Sequence, residues 1–223
     1  MIHCGDDRGQ TIGIYIVAMT ALLFLAFAYF AVGQAAVTRN SAQTAADAAA
    51  LAAAREYRDE AKSAFLAALN SGDLDALGRL LTDGGTDDYG PCGAAASYAE
   101  ANDAERLTCD RVNGPPGYTV SVRTKGTVGK SVVQGTENRH AEARATAVVS
   151  PRCVIDSMAG TGGTSSTDDA GDAGGTGDAG DDGGADDHHV VEFLCHGGDL
   201  TIDPSVPGFT LDLSTFYSVH LTK

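Results

Sequence analysis

The chain has 223 residues, a net charge of −15, no tryptophan and 6% aromatic residues. That charge excludes nucleic acid as a partner, because phosphate binding needs clustered Lys and Arg. It also excludes electrostatic docking on anionic lipid, and the few aromatics argue against a small-molecule substrate held in an aromatic-lined pocket.

A short tail, residues 1–11, precedes the first element. Ile12 to Val32 (IGIYIVAMTALLFLAFAYFAV) then runs 21 residues without a charge. At 1.5 Å per residue this helix matches a hydrocarbon core of about 30 Å. Tyr15 and Tyr29 lie near its two ends, where amphipathic rings prefer the headgroup layer. The apolar run is longer than a signal peptide's, and Asp6 and Asp7 outweigh Arg8 before it, so residues 12–33 are read as a transmembrane anchor. Cleavage at Ala31-Val32-Gly33 is the alternative.

Arg8 and Arg39 flank the segment equally, which leaves the positive-inside rule silent. The tail is too short to be a domain, so the bulk of the protein lies C-terminal to the helix. Cys4 falls before the helix, and Cys92, Cys109, Cys153 and Cys195 fall after it. An even number there fits an oxidising exterior. Three pairings are open; Cys92–Cys109 with Cys153–Cys195 is favoured because each pair brackets one compact stretch. The expectation is a single-pass protein of the cell membrane, its N-terminus cytoplasmic and its C-terminal domain extracytoplasmic.

Residues 34–70 continue the helix. Gln34 to Leu69 contains no Pro and no Gly and is dominated by Ala, the strongest helix former. Asn70-Ser71-Gly72 supplies the stop. Ala28, Ala31, Ala35, Thr38, Ala42, Ala45, Ala49 and Ala52 recur at steps of three and four, a stripe of small residues that lets another helix approach closely. Asn40, Gln43 and Asp47 lie on the opposite side.

Asp7-Arg8-Gly9-Gln10, the apolar helix, and Arg39 through Ala54 (RNSAQTAADAAALAAA) together resemble the N-terminal region of Tad/Flp pilus-assembly proteins of the TadE/TadG-like type. Gln43, Thr44, Asp47 and Leu51 are the most specific part, since alanine bias alone does not place them. The resemblance implies a bacterial envelope component of a Flp (type IVc) pilus or related secretion apparatus, with other apparatus subunits as partners through the helix. Prepilins are cut after a Gly followed, five residues on, by Glu and then an aromatic. Counted from Gly9 those positions hold Ile14 and Tyr15, so the Glu is missing and a TadG-like retained anchor fits better than a pilin.

Residues 71–158 form the first part of an extracytoplasmic domain. Asp73 to Leu81 reads as a short helix with Asp73 as N-cap and Leu74, Leu77 and Leu81 on one face. Asp83 to Asp88 is a loop. Ala94 to Leu107 reads as a helix ended by Val112-Asn113-Gly114-Pro115-Pro116-Gly117. Tyr118–Val122 and Ala141–Val149 alternate as strands, with Gly126–Val128, Ser131–Val133, Val190–Cys195, Thr210–Leu213 and Phe216–Leu221 as further candidates. Residues 159–187 hold eight Asp and ten Gly with no aromatic or branched aliphatic residue. Such a stretch cannot bury surface, so it reads as a disordered linker or an insertion between strands. Residues 188–223 are C-terminal strands. The fold class is α+β: a long N-terminal transmembrane helix extending into an extracytoplasmic domain with a small antiparallel sheet.

Tests for chemistry fail. The acidic stretch matches neither an EF-hand loop nor the calcium-binding nonapeptide repeat. His188, His189, Cys195 and His196 meet no zinc spacing. Gly126-Thr127-Val128-Gly129-Lys130-Ser131 ends in Gly-Lys-Ser but lacks the glycine spacing of a phosphate loop. No catalytic residue, metal or cofactor is expected. The reading is a non-catalytic, membrane-anchored structural or assembly component; an anchored binding or adhesion domain on an acidic spacer is the alternative.

Overall fold

Residues 10–83, 89–129, 135, 137–159 and 190–222 are described by the structure, a computed structural model. Helix α1 (Gln10–Glu60) is 51 residues long. Expected to run on to Leu69, the helix is interrupted at Ala61, whose N–H turns back to Arg58 O at 3.2 Å, and restarts as α2 (Lys62–Ser71). No Gly or Pro causes the break. It places Phe65 against Phe216 and Phe193, with centroids 4.9 and 6.3 Å away. Gly72 ends α2 in the left-handed conformation (φ 66°), which an L side chain resists, and its N–H reaches the Leu69 carbonyl at 3.3 Å.

Helix α3 (Leu74–Asp83) follows at once. The Asp73 carboxylate accepts from Ala76 N at 2.9 Å, satisfying a first-turn amide. Leu77 and Leu81 are buried, with Leu74 packed beside them. Helix α4 (Tyr89–Ala101) begins earlier than expected and ends before Leu107. Residues 104–112 are instead strand β1 (Ala104–Val112), and the Asn113–Pro116 turn closes a hairpin rather than a helix.

Strands β2 (Gly117–Thr124), β3 (Glu142–Pro151) and β7 (Tyr217–Thr222) join β1 in an antiparallel sheet ordered β1-β2-β3-β7. Strands β4 (Cys153–Ala159), β5 (Val190–Cys195) and β6 (Gly198–Ile202) form a second antiparallel sheet. The two meet at Arg152, whose N–H bonds Phe216 O and whose carbonyl accepts from His196 N. Thr210–Leu213 is not a strand, nor is Gly126–Val128. Ser131–Val133 and the Asp/Gly-rich residues 160–187 lie outside the described residues.

The alternation on β2 and β3 decides the core. Tyr118, Val120 and Val122 point inward, opposite Ala147, Ala145 and Ala143 on β3. Onto this face packs the second half of α1, with α4 along its other side. Covered on two sides, that half is apolar where it meets the sheet and α4 and keeps its polar residues, Gln43 and Glu56 among them, on the remaining exposed strip. Ala45, Ala46, Ala49, Ala50, Ala53 and Ala54 are fully buried.

Candidate functional site

The distinguishing feature among the described residues is α1 and the way it joins the domain. From Ile12 to Val37 the large apolar side chains of α1 stand exposed, Leu25 at 53% and Tyr29 at 78%. The helix is long and apolar enough to cross a membrane, and nothing in its most apolar stretch is buried by the rest of the chain. A continuous apolar surface of this extent is far beyond what a water-facing protein leaves uncovered. Within the span the Thr20 hydroxyl is satisfied internally, donating to Ile16 O at 2.8 Å, as a hydrocarbon surrounding requires.

The stripe of small residues divides at Ala42. Ala42, Ala45, Ala49 and Ala52 are buried inside the chain's own domain, whereas Ala28, Ala31 and Thr38 are half-buried and Ala35 is exposed. Thr38 donates its hydroxyl to Gln34 O. The expected face for a neighbouring helix is thus confined to the half above the domain. On the solvent side, Gln43 Nε2 donates to Asp47 Oδ1 at 2.8 Å, one helical turn on. Leu51 packs against the core.

At the far end of the buried half, Tyr57 is fully enclosed. The Arg111 guanidinium lies 5.0 Å from its ring centroid, and Tyr118 meets the ring edge-on at 5.8 Å. Tyr217 donates its hydroxyl to Leu80 O at 2.7 Å, tying β7 to α3. Burial, and secondarily the nearby Tyr57, hold the Tyr217 phenol well above its ordinary pKa. Asp212 is held below the usual carboxylate range by the backbone and then the side chain of Ser214.

Disulfides join Cys92 to Cys109 and Cys153 to Cys195. The first staples α4 to the edge strand β1; the second closes one end of the β4–β5 pair. At the other end of that pair Ala159 faces Val190, so residues 160–189 leave and re-enter the fold at neighbouring positions. The acidic stretch is therefore inserted between adjacent strands, and does not space an anchor from a separate domain. Cys195 is held in its disulfide, His188 and His189 lie outside the described residues, and among those described no group of three or more His, Cys, Asp or Glu is arranged to hold a metal. Lys130 and Ser131 of the Gly-Lys-Ser run lie outside the described residues, and the next described element is β3.

Residues 9–56 match the family model for Flp pilus-assembly TadE/G-like proteins. The TadE/G-like segment therefore covers the apolar span and the buried alanine helix as far as Glu56, about a fifth of the chain. No curated protein and no solved structure matches the sequence. In the second half of the TadE/G-like segment Ala42, Ala45, Ala46, Ala49, Ala50 and Ala53 are core and Gln43 and Asp47 pair on the outer side, a division of labour that sequence spacing hinted at and burial makes concrete.

Proposed function

We propose that the protein is a membrane-anchored, non-catalytic structural or assembly component of a Tad (Flp-type) pilus or related surface secretion apparatus. The observation that carries this reading is a coincidence. The TadE/G-like match at residues 9–56 falls on one element that supplies both an uncovered apolar span and the central helix of the folded domain. The domain stands on the extracytoplasmic side, where its two disulfides persist. The uncovered part of the stripe, Ala28, Ala31, Ala35 and Thr38, is the face offered to other subunits within or just above the bilayer.

Deletion of the gene, complemented with the full chain, tests the reading. Loss of surface pili or of secretion, restored by the full chain but not by Ala31→Leu with Ala35→Leu, is expected. Unchanged pili and secretion in the deletion strain overturn it.

A further inference from the structure

The residues that follow β2, Lys125 to Val128, are held in place by named bonds. The buried Thr124 hydroxyl donates to Gly126 O at 2.7 Å and accepts from Ala141 N at 3.1 Å. Lys125 N donates to Asp103 O at 2.8 Å, and Val128 N to Arg139 O at 2.9 Å. These bonds carry Val128 up to the apolar half of α1. There it shares an open groove of about 790 Å³ with Ala26, Tyr29, Phe30, Gly33 and Gln34. At Gly129 the approach is close enough that a Cβ would sit 3.6 Å from Gln34 Oε1.

Depth follows from helix geometry. Gln34 lies about 3 Å beyond Val32, the last residue of the apolar run, and Ala26 about 9 Å before it, at 1.5 Å per residue. A headgroup layer is roughly 5–7 Å thick on each side of the hydrocarbon. The groove thus begins in the acyl region and ends, at Gln34 and Val128, among the headgroups.

The geometry points to a phospholipid as the occupant of this groove, making Val128, four residues past β2, a second point of membrane contact beside the span; this rests on the anchoring proposed above. The lower walls are continuous with the span surface that faces acyl chains. The upper end offers the Gln34 side-chain amide to ester or phosphate oxygens and one apolar side chain, Val128, to the chain below. The contact is apolar, so the net charge of −15 does not oppose it.

The absence of tryptophan makes the test direct. Full-length Val128→Trp, Tyr29→Trp and Leu194→Trp variants are reconstituted in phosphatidylcholine vesicles with or without bromine near the headgroup end of the acyl chains. Leu194 is exposed on β5 of the second sheet and serves as the control. The expected result is roughly twofold quenching and a blue shift for Val128→Trp and Tyr29→Trp, with Leu194→Trp unchanged. Quenching of Tyr29→Trp alone overturns the lipid contact and leaves the anchor standing. A blue-shifted but unquenched Val128→Trp assigns the groove to a protein chain and also overturns it. No quenching at either site removes the anchor as well. Should Val128→Trp misfold, the unaltered chain in nanodiscs gives the same reading by NMR. Spin-labelled phosphatidylcholine then broadens the methyls of Val128 and Leu25 and spares Leu194; sharp Val128 methyls overturn the proposal.

Discussion

Tyr57, in the buried half of α1, accepts a 2.8 Å hydrogen bond from Arg111 Nη2 on the edge strand β1. The bond links two elements 54 residues apart in sequence and joins the sheet margin to the central helix. Tyr57→Phe keeps the ring and removes one charge-assisted bond, an expected loss of about 1.5–3 kcal/mol. Tyr57→Ala also empties the core, at about 3–5 kcal/mol. Urea unfolding of the detergent-solubilised chain, followed by near-ultraviolet circular dichroism, measures both.

Two glycines should respond in opposite directions. A Cβ at Gly117 would collide with the backbone of β3, at Ala147 O and Val148 Cα, which cannot swing aside. Gly117→Ala is expected to destabilise by about 3 kcal/mol. Gly78, inside α3, has nothing within 4 Å of such a Cβ. Gly78→Ala should stabilise by about 0.5–1 kcal/mol, because it reduces the backbone entropy lost on folding. Thermal melts of the two variants side by side check the pair.

Replacing residues 160–189 by a four-residue turn should leave the fold intact, since Ala159 and Val190 are cross-strand partners. Shortening the closed loop favours folding by at most about 1–2 kcal/mol from chain entropy. The gain is smaller in the oxidised chain, where Cys153–Cys195 already restricts the unfolded ends. A collapsed melting transition in the shortened protein contradicts the insertion reading.

The raised pKa of Tyr217 predicts loss of stability in alkali. The unfolded phenol ionises near its ordinary value of about 10 while the folded one stays protonated. Its contribution is therefore complete below about pH 10 and declines as pH rises above that toward the folded value. Urea midpoints at about pH 8 and pH 11 should fall less in Tyr217→Phe than in the parent.

Features governed by local chemistry were legible in the sequence. The apolar run, the Gly72 stop, the Asp73 cap and the alternation of Tyr118, Val120 and Val122 each depend on neighbouring residues alone. Leu107 was misread because Ala104, Glu105, Arg106 and Leu107 are good helix formers, and only pairing with β2 makes them a strand. Strand β4 escaped notice for a similar reason, its partner β5 lying across the acidic insertion, and β6 because it opens on Gly198 and Asp199, both poor strand formers. The small-residue stripe was visible, but alanine is compatible with any close neighbour. Its spacing could not tell a second molecule from the chain's own core.

Helix α1 passes from its exposed apolar half into the core without a flexible stalk between them. With that half in a bilayer, any tilt of the span swings the whole head through the same angle, and a pull on the head is felt directly by the lipid. A sheddase that works by clipping a loose juxtamembrane tether would find none among these residues and would first have to unwind the helix.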